Sequence, residues 1–224
     1  MSSSPRGAGS GATRGDAAGS GRLSSAPAWL ALDELKEVRR LNRQVVEHLA
    51  VVAREDIDNT APALRVLRQH SHRIDTDVIE TIAQVPVLLL DFRFGDAAWW
   101  SVAQELTESS KPHVAGNAVP LPGAPEWARE VLMLAVPLVR RSVLAARLHL
   151  GMSEQVAQEV RELNSRDINR LAEQHAHSLT FRCSRAPAVW LHLVCESLAS
   201  PRSSLHHGRC LSVRCLGGGL PETA

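Results

Sequence analysis

Val38, Leu41, Val45, Leu49 and Val52 recur at intervals of three and four, so they line one face of a helix predicted over 28–54. Asn59 or Thr60 can cap a second helix with Pro62 in its first turn, and a third is expected over Asp75–Gln84. Pro86 ends that pattern. The apolar run after it, VLLLDFRF, reads as a short extended segment, and a helix follows over Asp96–Leu106. A second series opens at Pro125 with a long helix to Leu150, on which Val131, Leu134, Leu138, Ser142 and Ala145 repeat the first face. Pro137 should kink it and Gly151 should end it. Ser153 is placed to cap a helix ending near Leu163, and Ser165 a shorter one that carries Ile168, Leu171, Ala172 and His175 on one face. Ala188–Leu198 is the last helix predicted.

The two series share more than period. Residues 77–94 read DVIETIAQVPVLLLDFRF and 167–183 read DINRLAEQHAHSLTFRC, which aligns Ile79, Ile82, Ala83, Phe92 and Arg93 with Ile168, Leu171, Ala172, Phe181 and Arg182 at one offset. Trp99 and Trp100 follow the first copy, and Trp190 the second. Amphipathic helices resemble one another by periodicity alone, but a Phe-Arg step after LLLD and after SLT does not come from period. The offset drifts upstream, which places insertions in the connections, where length change is tolerated. A repeated unit of roughly 90 residues is too long for a solenoid repeat. The fold expected is therefore mainly α: two tandem helical modules packed as a pseudo-dimer, each with a short extended segment.

The boundaries follow from composition. Residues 1–27 are Gly-, Ser- and Ala-rich and are expected to form a disordered arm, and 199–224 a disordered tail. Module one spans 28–110, a Pro- and Gly-bearing linker 111–124, and module two 125–198. The 25 Lys and Arg against 24 Asp and Glu leave a formal charge of +1, so no strong overall field draws the chain to nucleic acid or anionic lipid. Cys183, Cys195, Cys210 and Cys215 crowd one end and make no disulfide framework, which points to a reducing, cytoplasmic setting. No apolar run reaches membrane-span length, and the first 27 residues lack the apolar core of a secretory signal, so no membrane association is expected.

The run LGMSEQVAQEVRELNSRDINRLAEQHAHSLTFRC at 150–183 resembles the FlhD family, a subunit of the bacterial flagellar transcriptional activator, in its Leu-Gly step, two helices and Phe-Arg end. The first copy is similar through LKEV at 35–38, RED at 54–56 and DFRFGD at 91–96, with Asp56 in register. The chain departs from the family at Leu148 and His149, where Phe-Arg is usual, and at Pro86 and His175, where Asn is frequent. The resemblance implies a DNA-binding regulator that acts at promoter regions with a zinc-bearing, FlhC-like partner and recruits RNA polymerase. Tandem modules in one chain would stand in for the family's homodimer.

DNA affinity rests largely on phosphate contacts from cations. The candidates are two basic groups: Arg65, Arg68 and Arg73, with His70 and His72 interleaved, and Arg140, Arg141 and Arg147, continued by His149. His175 joins them as a departure from the family pattern. Arg93 and Arg182, set among Phe92, Phe94 and Phe181, are expected to pair with a carboxylate such as Asp91 or Glu173, or to stack on an aromatic ring. His192, Cys195, His206, His207, Cys210 and Cys215 have the residue types of a zinc site but lack C-x-x-C pairs, so neither metal nor other cofactor is assigned. No Gly-rich phosphate loop, nucleophile elbow or paired-carboxylate helix motif is present, and an enzyme is not expected. The alternative to a DNA-binding regulator is a protein-interaction module of the same fold that has lost its DNA face and modulates another regulator or assembly.

Overall fold

The computed structural model describes residues 32–54, 62–105, 121–183 and 186–199, and it is mainly helical. The expected arm, most of the linker and nearly all of the tail lie outside these residues. In chain order the helices are α1 (Leu32–Arg54), α2 (Pro62–Gln69), α3 (Thr76–Ala83) and α4 (Ala97–Glu105), then α5 (Ala124–Arg141), α6 (Val143–Leu150), α7 (Glu154–Glu162), α8 (Ser165–Gln174) and α9 (Pro187–Ala199). Single 3-10 turns at Ser71–Arg73 and Ala176–Ser178, and two-residue strands β1 (Leu90–Asp91) and β2 (Thr180–Phe181), complete the set among the described residues.

Local chemistry sets most of the boundaries. The Asp75 carboxylate accepts from the Val78 N–H and the Ser153 hydroxyl from the Val156 N–H, so both residues act as N-caps. The helix after Leu163 is capped by Asn164, one residue earlier than expected. Asn164 forms a capping box with Asp167, whereas Ser165 is the first helical residue. The chain stays helical through Pro137, whose ring is exposed, and the interruption falls instead at Ser142. There the backbone is extended, and the Ser142 hydroxyl caps α6 at the Ala145 N–H. Gly151 ends α6 at a φ of 61°, in the left-handed region, and a Cβ there would lie 2.2 Å from the Arg182 guanidinium.

Both halves use the same order of elements: a long helical segment, two short helices, a short strand and a closing helix. Within the halves α1 packs on α2 and α3, while α5 packs on α6, α7 and α8. Between them α9 packs on α2 and α3, α4 on α7, and α1 on α5. Strands β1 and β2 pair antiparallel, with Leu90 opposite Phe181 and Asp91 opposite Thr180. Asp91 and Thr180 are separated by the same interval as Ile79 and Ile168. One continuous apolar core holds residues of both halves, including Leu121 from the expected linker, which is buried at the entrance to α5.

The aromatic residues around the two Phe-Arg steps pack into the core. Trp100 and Trp190 are buried and Trp99 is partly so. Phe92 meets Trp100 edge-on at 6.0 Å and Phe181 meets Trp190 edge-on at 5.7 Å. Each indole N–H then closes a corner: Trp100 donates to the Arg93 carbonyl at 3.1 Å and Trp190 to the Arg182 carbonyl at 2.9 Å.

Candidate nucleic-acid interface and the seam beneath it

The seam between the halves is built on a buried extended run that cannot satisfy its own backbone. Val85, Val87, Leu88, Leu89 and Leu90 are all buried, and outside β1 they belong to no ladder. Polar backbone atoms in such a place need side-chain partners. Asn42, wholly buried on α1, donates its amide to the carbonyls of Val85 (3.3 Å) and Val87 (2.9 Å) and accepts the Leu89 N–H at 2.8 Å. The Val85 N–H reaches back to the Ile82 carbonyl at 3.4 Å, and further groups of the run are met from the second half. The His149 carbonyl accepts the Leu88 N–H at 2.8 Å, and His149 Nδ1 donates to the Pro86 carbonyl. Arg182 donates Nε to the Leu88 carbonyl at 2.8 Å, its backbone N–H to Leu89 at 2.8 Å, and Nη2 to the Leu150 carbonyl at the end of α6.

This accounting corrects several sequence expectations. His149, 5% exposed, is turned into the seam and lies outside any surface that meets a phosphate. The same holds for His175, which is 6% exposed and packs edge-on against Trp99 at 5.3 Å. Burial, aided by the neighbouring His177 and Arg170, pushes the His175 pKa below its ordinary value. Arg182 holds backbone carbonyls rather than a carboxylate. Arg93 stacks on the Trp99 ring at 5.4 Å as expected, but its acid is Asp96, at 2.7 Å, and not Asp91, which instead accepts the Phe94 N–H.

The six arginines of the candidate set divide. Arg140 donates Nε to the Arg161 carbonyl at 3.0 Å and Nη2 to the Leu163 carbonyl at 2.8 Å, so it closes the C-terminus of α7. Arg147 lies 3.6 Å from Glu154 with both side chains exposed, a pairing weak enough to be exchanged for another anion. Arg65, Arg73 and Arg141 are exposed and Arg68 is partly so. Arg65 and Arg68 stand on α2, Arg73 on the 3-10 turn after it, and Arg141 and Arg147 flank the break at Ser142.

Asn42 was missed, although its signal was present: it is a polar residue one position after Leu41 within the buried stripe of α1. His192 and Cys195 are exposed on α9, and the other four residues of the zinc types lie outside the described residues. Among the described residues no group of three or more His, Cys, Asp or Glu is arranged to hold a metal ion, and no helix is long and apolar enough to cross a membrane. Comparison with family models, with curated proteins and with solved structures finds no match to this chain.

Proposed function

We propose that this chain is a DNA-binding transcription regulator of the flagellar-activator type, acting together with a partner protein, and that its halves are tandem FlhD-like modules packed as a pseudo-dimer. The reciprocal packing of the halves carries the reading. Each half sends its closing helix onto the other, α9 onto α2 and α3 and α4 onto α7, and the two strands pair antiparallel at residues of matching position. An antiparallel pair of equivalent residues is what a twofold axis produces. On this view modules 28–110 and 125–198 replace the two subunits of a homodimer, and RNA polymerase is what the assembly recruits.

The exposed basic corners at Arg65 to Arg73 and at Arg141 to Arg147 form the DNA side. A net charge of +1 and the engagement of Arg40, Arg43, Arg93, Arg129 and Arg170 with acids leave few cations for phosphate, so the partner supplies part of the affinity. That same engagement favours the second reading, an interaction module without DNA binding.

A fluorescence-anisotropy salt titration on promoter fragments, with and without a zinc-bearing partner, separates the two. The regulator reading expects weak binding alone, stronger binding with the partner, and a salt slope that falls by about one unit in Arg147→Ala. Absence of salt-dependent binding to any fragment with the partner present leaves the interaction module.

A further inference from the structure

An open groove of about 480 Å³ runs between α1 and the first turns of α5, lined chiefly by Glu47, His48 and Val51 on one side and Glu126, Trp127 and Glu130 on the other. Its floor is partly apolar: Trp127 packs against the His48 ring at 5.5 Å, and Val51 is half exposed. Its rim is acidic. Glu47 shares Arg43 and Glu130 stands 3.9 Å from Arg40, while Glu126 has no ion pair among the described residues. His48 Nε2 is shut away from solvent with no hydrogen-bond partner.

We propose that this groove binds arginine side chains from the chain's own N-terminal segment, residues 1–31. An indole face beside carboxylates selects a guanidinium, which is planar, stacks on the ring and bonds to carboxylates in two places at once. The segment carries Arg6, Arg14 and Arg22 against one acid, Asp16. It leads directly into α1, the helix that forms one wall. The groove begins about 18 Å along that helix from Leu32, and the stretch from Arg22 to Leu32 spans up to about 33 Å when extended, so the reach is sufficient. Tethering raises the local concentration of the arginines to the order of millimolar, so modest affinity fills the groove.

Two other stretches are the rivals. Residues 106–120 precede Leu121 in sequence but contain Lys111 with Glu108 and no arginine. The tail with Arg202, Arg209 and Arg214 leaves from α9, which packs on α2 and α3. The proposal stands apart from the regulator reading, since it requires neither DNA nor a partner.

The Trp127 indole N–H resonance in a ¹H–¹⁵N spectrum of the full chain, assigned through Trp127→Phe, is the test. The combined Arg6→Ala, Arg14→Ala and Arg22→Ala variant should move that resonance and leave the signals of Trp100 and Trp190 in place. Raising salt to about 0.5 M should move the wild-type resonance in the same direction, as screening weakens the pairing. An unchanged Trp127 signal in the triple variant overturns the proposal. So does a signal that responds to Lys111→Ala, to the Ala variants of Arg202, Arg209 and Arg214, or to protein concentration, but not to the triple variant.

Discussion

The stretches that lead into the two paired strands, residues 85–89 and 174–179, occupy matching places in the chain and meet their backbone needs in opposite ways. The second folds on itself: a 3-10 turn over Ala176–Ser178 lets the Ser178 N–H bond to the His175 carbonyl at 2.8 Å and the Leu179 N–H to Ala176 at 3.0 Å. The first is extended and buried, and Pro86 has no N–H to give. It leans on Asn42 from its own half and on His149 and Arg182 from the other. A segment that cannot satisfy itself ties the halves together by hydrogen bonds, whereas its counterpart bonds locally and meets the other half by packing, His175 against Trp99.

Removing Asn42 should break the arrangement most. Asn42→Ala strips partners from the Leu89 N–H and from two carbonyls at a site closed to water, and should cost about 3 to 4 kcal/mol in denaturant unfolding. Asn42→Leu keeps the volume and should still lose most of that amount.

The Phe-Arg steps sharpen the same contrast at lower cost. Arg182→Ala uncovers the Leu88 and Leu150 carbonyls and should cost about 2 kcal/mol. Arg93→Ala removes an exposed pair with Asp96 and a stack on Trp99, and should cost below about 1 kcal/mol. Equal losses at the two positions, measured by chemical unfolding, would show that the arginines do the same job.

His175 gives the smallest expected effect, and its sign is fixed. Its pKa is lower in the folded chain than in the unfolded one, so the unfolded state takes up more protons as pH falls. Its contribution is present above the ordinary histidine pKa of about 6.5 and is lost as pH drops through the depressed value. The melting midpoint of the wild type should therefore fall between about pH 7 and pH 5 more steeply than that of His175→Phe.

Much of this fold is legible in the sequence, because helix period and caps are local signals. The stripe of α1, the cap at Ser153 and the stop at Gly151 all follow from neighbours within a turn or two. What was not legible depends on partners far along the chain. Arg182 looks like a surface cation until Leu88 and Leu150 are placed beside it, and His149 looks like part of a basic patch until Pro86 covers it. The helix continues through Pro137 because the carbonyl left without a helical donor is that of Met133, an exposed residue, so tolerance there depends on which face meets solvent. Of the candidate basic residues, Arg65, Arg73, Arg141 and Arg147 are exposed, whereas His149 and His175 are buried by partners that the local sequence does not show.

Residue-resolved native-state hydrogen exchange on the intact chain tests the interlocked halves most directly. The shared core and the cross-half bonding of residues 85–90 predict that the slowest amides of α1 and α5, around Val45 and Val131, open with one common free energy equal to that of global unfolding. They also predict that Arg182→Ala lowers both together. Two separate opening free energies, with one half exchanging while the other stays protected, would contradict the account.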